Sequence, residues 1–153
     1  MTCHICSWDT GNSDFRFICQ TNYWRVVLAS NQALLGRCVV HLLRHEPRLS
    51  GLTSEEHSDW FSLVNSLETA LVSAFNPTLF NWSCYMNHAY RENPPSPHVH
   101  WWVVPRYSHP IELLGMQFED PDFGNPYNHS RRIELSEVQY KDISGMIKEA
   151  LQI

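Results

Sequence analysis

Polar and apolar residues alternate or cluster along this chain in a way that predicts seven regular elements. Phe15 to Cys19 is a short β-rich run, and Tyr23 to Ala29 reads as a second strand. Ser30-Asn31-Gln32 forms a polar turn. Gly36 then opens Arg37 to Arg44, read as a third strand; its almost wholly apolar centre fits a strand covered on both faces, and pattern alone leaves a helix segment as the alternative. Thr53-Ser54-Glu55-Glu56 is a capping box, in which Thr53 and Glu56 can exchange side-chain and backbone hydrogen bonds. Trp60, Phe61, Val64, Leu67, Leu71 and Val72 follow at helical spacing, and the helix must stop before Pro77. Leu79 to Met86 is expected as a fourth strand. Three prolines make 91–97 a loop, and His98 to Val104 is a fifth strand that ends at Pro105. Residues 108–133, rich in Pro, Gly, Asp and Asn, form an irregular surface excursion. A second capping box at Ser136–Gln139 opens a helix to about Leu151.

The order β-β-β-α-β-β-α, with short links between the first strands, predicts an α+β fold. It has an antiparallel five-stranded sheet and two main helices in a single domain over residues 1–153. The balance of 43% hydrophobic and 18% charged residues over 153 positions suits one packed core and argues against disorder. No apolar run approaches the roughly 20 residues of a membrane span, and the N-terminus lacks a signal-peptide pattern, so a cytoplasmic protein without membrane partners is expected. The formal net charge of −5, with no basic cluster beyond Arg131-Arg132, excludes long nucleic acid as an obvious partner. A small phosphorylated ligand needs only a few local donors.

Five cysteines and no leader argue against a disulfide framework. Cys19, Cys38 and Cys84 lie in apolar or strand-like runs and read as buried small hydrophobes, whereas Cys3 and Cys6 form a C-x-x-C pair that can hold metal. The densest chemistry is at His98-Val99-His100-Trp101-Trp102. Alternate residues of a strand share a face, so His98, His100 and Trp102 point one way, with the two imidazoles about 7 Å apart. Two such imidazoles can share a metal, or divide nucleophilic attack from ligation.

The segment His98 to Arg106 resembles the histidine triad signature, H-φ-H-φ-H-φ-φ with P-R close behind, and Trp102 stands at the third histidine. Asn87, eleven residues upstream, matches the family's phosphate-facing carboxamide, and Asn31 to His45 is similar to its glycine turn and following strand. The resemblance runs from Cys3 to about Tyr107. It implies a nucleotide hydrolase or nucleotidyltransferase with His100 as nucleophile at an α-phosphorus and Asn87 as phosphate donor. Arg37, Ser96, Trp102 and Arg106 would contact substrate. Residue-by-residue matching to a zinc-binding branch implies a structural Zn2+ on Cys3, Cys6, His45 and His98, with His4 as a rival ligand. A small nucleotide or nucleotide conjugate would be the partner, and a homodimer the assembly.

Several positions depart from the family pattern. Trp102 cannot act as a general acid. Arg37 replaces the family's histidine after the glycine turn, Ala29 its ribose-holding Asp or Asn, and Pro95 its hydroxyl residue, with Ser96 next door. Ribose recognition and leaving-group protonation are therefore open. The alternative is a non-catalytic nucleotide-binding module, or a zinc-stabilised interaction module.

Overall fold

A computed structural model describes residues 3–10 and 15–152. Five strands form one antiparallel sheet: β1 (Phe17–Gln20), β2 (Trp24–Leu28), β3 (Cys38–Leu42), β4 (Leu79–Ser83) and β5 (His100–Arg106), in the order β1-β2-β3-β5-β4. Two long helices, α1 (Ser54–Phe75) and α2 (Glu137–Ala150), complete the α+β architecture. Both open with the capping boxes expected at Thr53–Glu56 and Ser136–Gln139. α1 closes at Asn76 in the left-handed conformation, one residue before Pro77.

The helices cover one face of the sheet. Cys38, Val40, Val99 and Val103 join Leu63, Leu67, Leu71, Ile143 and Ile147 in the main core. On the opposite face Val27, Ala29, Val39, Trp8 and Trp102 form a smaller cluster. The period-two alternation of β5 thus splits its residues between a packed core and a cleft. α1 is rotated from the expected stripe: Phe61 and Val72 face outward, while Leu63, Ala70 and Phe75 are buried. Strong apolar character at helical spacing left two adjacent faces open, and packing on the sheet selects the one through Leu67 and Leu71.

Ser30–Gln32 differs from an ordinary polar turn, because Asn31 and Gln32 are buried. Gln32 Nε2 donates to the carbonyls of Ala29 and Arg37, and its Oε1 accepts from the Gly36 amide. One side chain therefore satisfies the turn's inward-facing backbone groups. Gly36 has φ +77°, and a Cβ there would meet Leu71 and Phe75 at 3.1 Å. That turn delivers Arg37 to the cleft side.

β5 runs through Pro105 to Arg106, one residue beyond the proline expected to end it. Arg106 O accepts from the Thr78 amide, so Arg106 faces β4 and Pro105 faces the β3 side, where the paired register stops at Cys38↔Val103. A missing N–H costs nothing at that position. The excursion is also more ordered than its composition suggests. A hairpin of β6 (Ile111–Leu113) and β7 (Met116–Phe118) turns at Leu114 and Gly115, both with positive φ. Cys38 is fully buried, whereas Cys19 and Cys84 are only partly covered.

Candidate functional site

A corner of four ligand-type side chains lies where the N-terminal segment meets β3 and β5. Cys3, Cys6, His45 and His98 bring one donor atom each to within 4.8 Å of one another. The buried His98 fixes its own tautomer: Nε2 lies 2.7 Å from Leu42 O, which can only accept, so Nδ1 presents a lone pair. Nδ1 stands 3.5 Å from Cys3 Sγ and 3.3 Å from Cys6 Sγ. Cys6 Sγ is also 3.5 Å from His45 Nδ1. A tetrahedral ion with metal–S near 2.3 Å and metal–N near 2.0–2.1 Å has donor–donor edges of about 3.5 Å, so the donors suit one ion. Burial pushes the His98 pKa down to about 4, keeping the ring neutral as a ligand must be. His4 lies outside the cluster, its ring edge-on to Trp8 at 5.2 Å.

His45 owes its place to Arg44. The Arg44 guanidinium forks onto the buried Glu56 carboxylate at 2.6 and 2.9 Å and onto Glu46 at 2.9 Å. These bonds hold the Glu56 carboxyl below its usual range. Glu56 also caps α1, so the strand end carrying His45 is tied to the helix start.

Two residues on, His100 sits in a different environment. Its Nδ1 donates to His98 O at 2.8 Å, leaving Nε2 as the lone-pair nitrogen with no hydrogen bond among the described residues. Burial lowers its pKa, favouring the neutral ring. His100, Trp102 and Ser96 line a cavity of about 430 Å³, a volume suited to a small ligand. Phe17, Val27 and Ala29 supply apolar walls, and Ser30 stands at the position adjoining Ala29. Asn31, also polar and two residues from Ala29, is not in this lining. Its amide instead binds Arg131 O and its oxygen accepts from Ala33 and Ile133, so it fastens the returning excursion.

Asn87 lies on a one-turn 3₁₀ helix, Asn87–Arg91, beyond the end of β4. It lines a neighbouring cavity of about 320 Å³ with Arg37, Tyr85, Tyr127 and His129. Trp102 and His88 border both cavities. Arg37 is half-buried, with its guanidinium 4.4 Å from the Trp102 ring centroid and 5.6 Å from that of Tyr127. Its buried Nε makes no hydrogen bond, and no carboxylate pairs with it among the described residues. Desolvation lowers its pKa.

Arg106 is not brought to either cavity. It is 3% exposed, forks onto Asp120 at 2.5 and 3.1 Å and donates to the carbonyls of Asp122 and Asn125. All its reach is used in pinning the excursion to β5. Sequence reasoning missed Trp8 and Tyr127. Trp8 is two residues past the C-x-x-C pair and lines the larger cavity. Tyr127 stands 25 residues beyond the triad-like segment, and no local pattern marks it.

No family model and no curated protein matches the sequence. Solved structures do match. A Zn-bound histidine triad family protein from Mycobacterium smegmatis aligns with TM-score 0.64 and 16% identity, over 99% of this chain and 94% of its own. A histidine triad protein from Marinobacter aquaeolei gives 0.69 and 13%, over 89% and 88%. The Plasmodium falciparum diadenosine triphosphate hydrolase gives 0.63 and 17%, over 92% and 78%. The chain has the histidine triad fold. Within that fold it carries a Cys2His2 cluster as a possible metal site and Trp102 in the place of a third histidine.

Proposed function

We propose that the protein is a nucleotide hydrolase or nucleotidyltransferase in which His100 attacks an α-phosphorus. The observation that carries this is the His100 tautomer: Nδ1–H is spent on a backbone carbonyl, and Nε2 opens on the cleft. In the step, a P–N bond forms at Nε2 and the bond from phosphorus to the leaving group breaks, its electron pair going to that group. Water or another acceptor then attacks phosphorus and frees His100. Ser96, in the lining shared with His100, and Asn87, in the neighbouring cavity, are the proposed phosphate donors. The apolar walls at Phe17, Val27 and Ala29 would take the nucleoside. Arg106 has no part in binding substrate.

Zinc is the proposed occupant of the Cys3, Cys6, His45 and His98 corner. Four protein ligands leave no open position, so the ion's contribution is stability rather than reaction. The proposed assembly is a homodimer, supported by the edge position of β4 and the outward apolar side chains Phe61, Val72 and Leu79. No helix among the described residues is long and apolar enough to cross a membrane.

A second reading, nucleotide binding without turnover, is favoured by one observation: the indole of Trp102 cannot protonate a leaving group. Dinucleoside polyphosphates, nucleoside phosphoramidates and adenylyl sulfate, offered to wild type and to His100→Ala, separate the two. Turnover lost in the variant, with a nucleotidyl group trapped on His100 by rapid quench and mass spectrometry, supports the enzyme. Saturable binding of nucleoside monophosphates without product leaves the binding module.

A further inference from the structure

We propose that His88 is the proton donor to the leaving group, supplying from the rim of the cleft what Trp102 cannot supply from the strand. This rests on the reading of His100 as nucleophile and adds the group that lets a basic leaving group depart.

Three observations support it. First, the residue two past His100 on the same face is an indole, edge-on to the imidazole with ring centroids 6.3 Å apart. Its N–H donates a hydrogen bond but does not give up its proton. An amine or alkoxide leaving phosphorus still needs one. Second, among the described residues His88 is the one imidazole that borders both the His100 cavity and the neighbouring cavity that holds Asn87. His4 lines only the first of these and His129 only the second. His98 has Nε2 on Leu42 O and Nδ1 turned to the two cysteines. A leaving group that extends from one cavity into the other must pass the border where His88 and Trp102 stand. Third, the two imidazoles of the cleft are equipped for opposite jobs. His100 is mostly buried, and burial lowers its pKa, with the His88 charge lowering it further. It is thereby kept neutral and nucleophilic. His88 is exposed and makes no hydrogen bond among the described residues, so water can solvate its charged form and reload its proton. A pair of titratable groups in such unequal surroundings divides into base and acid.

The step balances as follows. His100 Nε2 forms a bond to the α-phosphorus, and the bond from phosphorus to the leaving nitrogen or oxygen breaks. Its electron pair takes the proton of the His88 imidazolium, so the leaving group departs neutral. His88, now neutral, accepts a proton from water as that water's oxygen bonds to phosphorus. The P–N bond to His100 then breaks and its electron pair returns to Nε2. The nucleoside monophosphate is freed and His88 is again protonated. The donor thus sits on the 3₁₀ turn Asn87–Arg91 rather than on β5.

The test compares two leaving groups on one enzyme. The p-nitrophenyl esters of AMP and GMP release an anion that needs no proton, whereas their phosphoramidates release an amine that does. Single-turnover release of each is measured for wild type, His88→Gln and His88→Ala, with melting curves for all three. Single turnover isolates the attack of His100 from the later attack of water. In both variants amine release should fall by about 100-fold or more, while nitrophenolate release changes by less than about threefold. Because the ratio is taken within one sample, a partly unfolded variant does not mimic it. Equal slowing of both substrates makes His88 a structural part of the cleft and overturns the proposal. Unchanged rates on both overturn it and leave His100 untouched. So does a wild type that releases nitrophenolate but no amine, since no donor is then at work. Failure of wild type to cleave any of the four overturns the His100 reading itself, and the donor with it.

Discussion

His98 and Arg37 sit on the same face of one sheet, at opposite ends of a row that runs through His100 and Trp102, and they are equipped in opposite ways. At the His98 end every strong donor has a neighbour: Nε2 has a carbonyl, Nδ1 has two sulfurs, and Arg44 ties the adjoining strand end to Glu56. At the Arg37 end a cation is held by ring faces alone. The saturated end resists change because any loss leaves a buried group unpaired. The unsaturated end has interaction energy still to realise, and a ligand can supply it. His100 lies between them and is half of each: Nδ1 is fixed and Nε2 is open.

That contrast can be tested from the largest expected effect to the smallest. Chelation, or Cys3→Ser, should strike the saturated end hardest. If zinc is bound at 1,000 times its dissociation constant, its removal costs about 4 kcal/mol. For a chain of this size that is about 10 °C in melting temperature, read by calorimetry beside a metal assay expected to give one zinc per chain. An unchanged melting curve with no zinc present would remove the structural metal.

His100→Ala should do the opposite. Turnover should fall by about 10³ or more, while stability falls by only about 1–2 kcal/mol, because the hydrogen bond lost is the single one from Nδ1 to His98 O and Nε2 supports no contact among the described residues. Asp120→Ala removes the partner of a buried guanidinium and should cost about 3 kcal/mol in urea unfolding. It should also loosen the segment bearing Tyr127, read as faster amide hydrogen exchange over 120–127.

Glu56→Gln is the mildest, at about 2 kcal/mol near pH 7. Its pH dependence has a definite sign. The folded carboxyl is depressed by its bonds to Arg44, so its contribution is complete above the ordinary carboxylate pKa and is lost as pH falls through the lower folded value. The stability gap between wild type and Glu56→Gln should therefore shrink on acidification.

Much of this architecture was legible because the signals were local. Both capping boxes, the helix stop before Pro77 and the alternation of His98, His100 and Trp102 depend on residues within a few positions of each other. What escaped depends on contacts between distant segments. Phe61 and Val72 match helical spacing as well as Leu63 and Ala70 do, and only the sheet decides between them. Arg106 followed a P-R pattern suggestive of phosphate, yet its partner is Asp120, on an excursion that no pattern linked to it. The β6–β7 hairpin was hidden because Leu114 occupies a positive-φ position where Asn or Gly is the usual sign. The Arg37 cavity needs Tyr127, 90 residues away along the chain.

The two-sided reading of β5 makes the strand a frame in which two messages are interleaved, one for the core and one for the cleft. Spacing alone decides which letters belong to which. Adding or deleting a single residue between His98 and Trp102 would therefore not damage one function slightly. It would send an imidazole into the hydrophobic interior and turn Trp101 or Val103 outward, exchanging the two messages at once. A residue gained or lost in the exposed stretch 92–95 shifts no frame, and length variation belongs there.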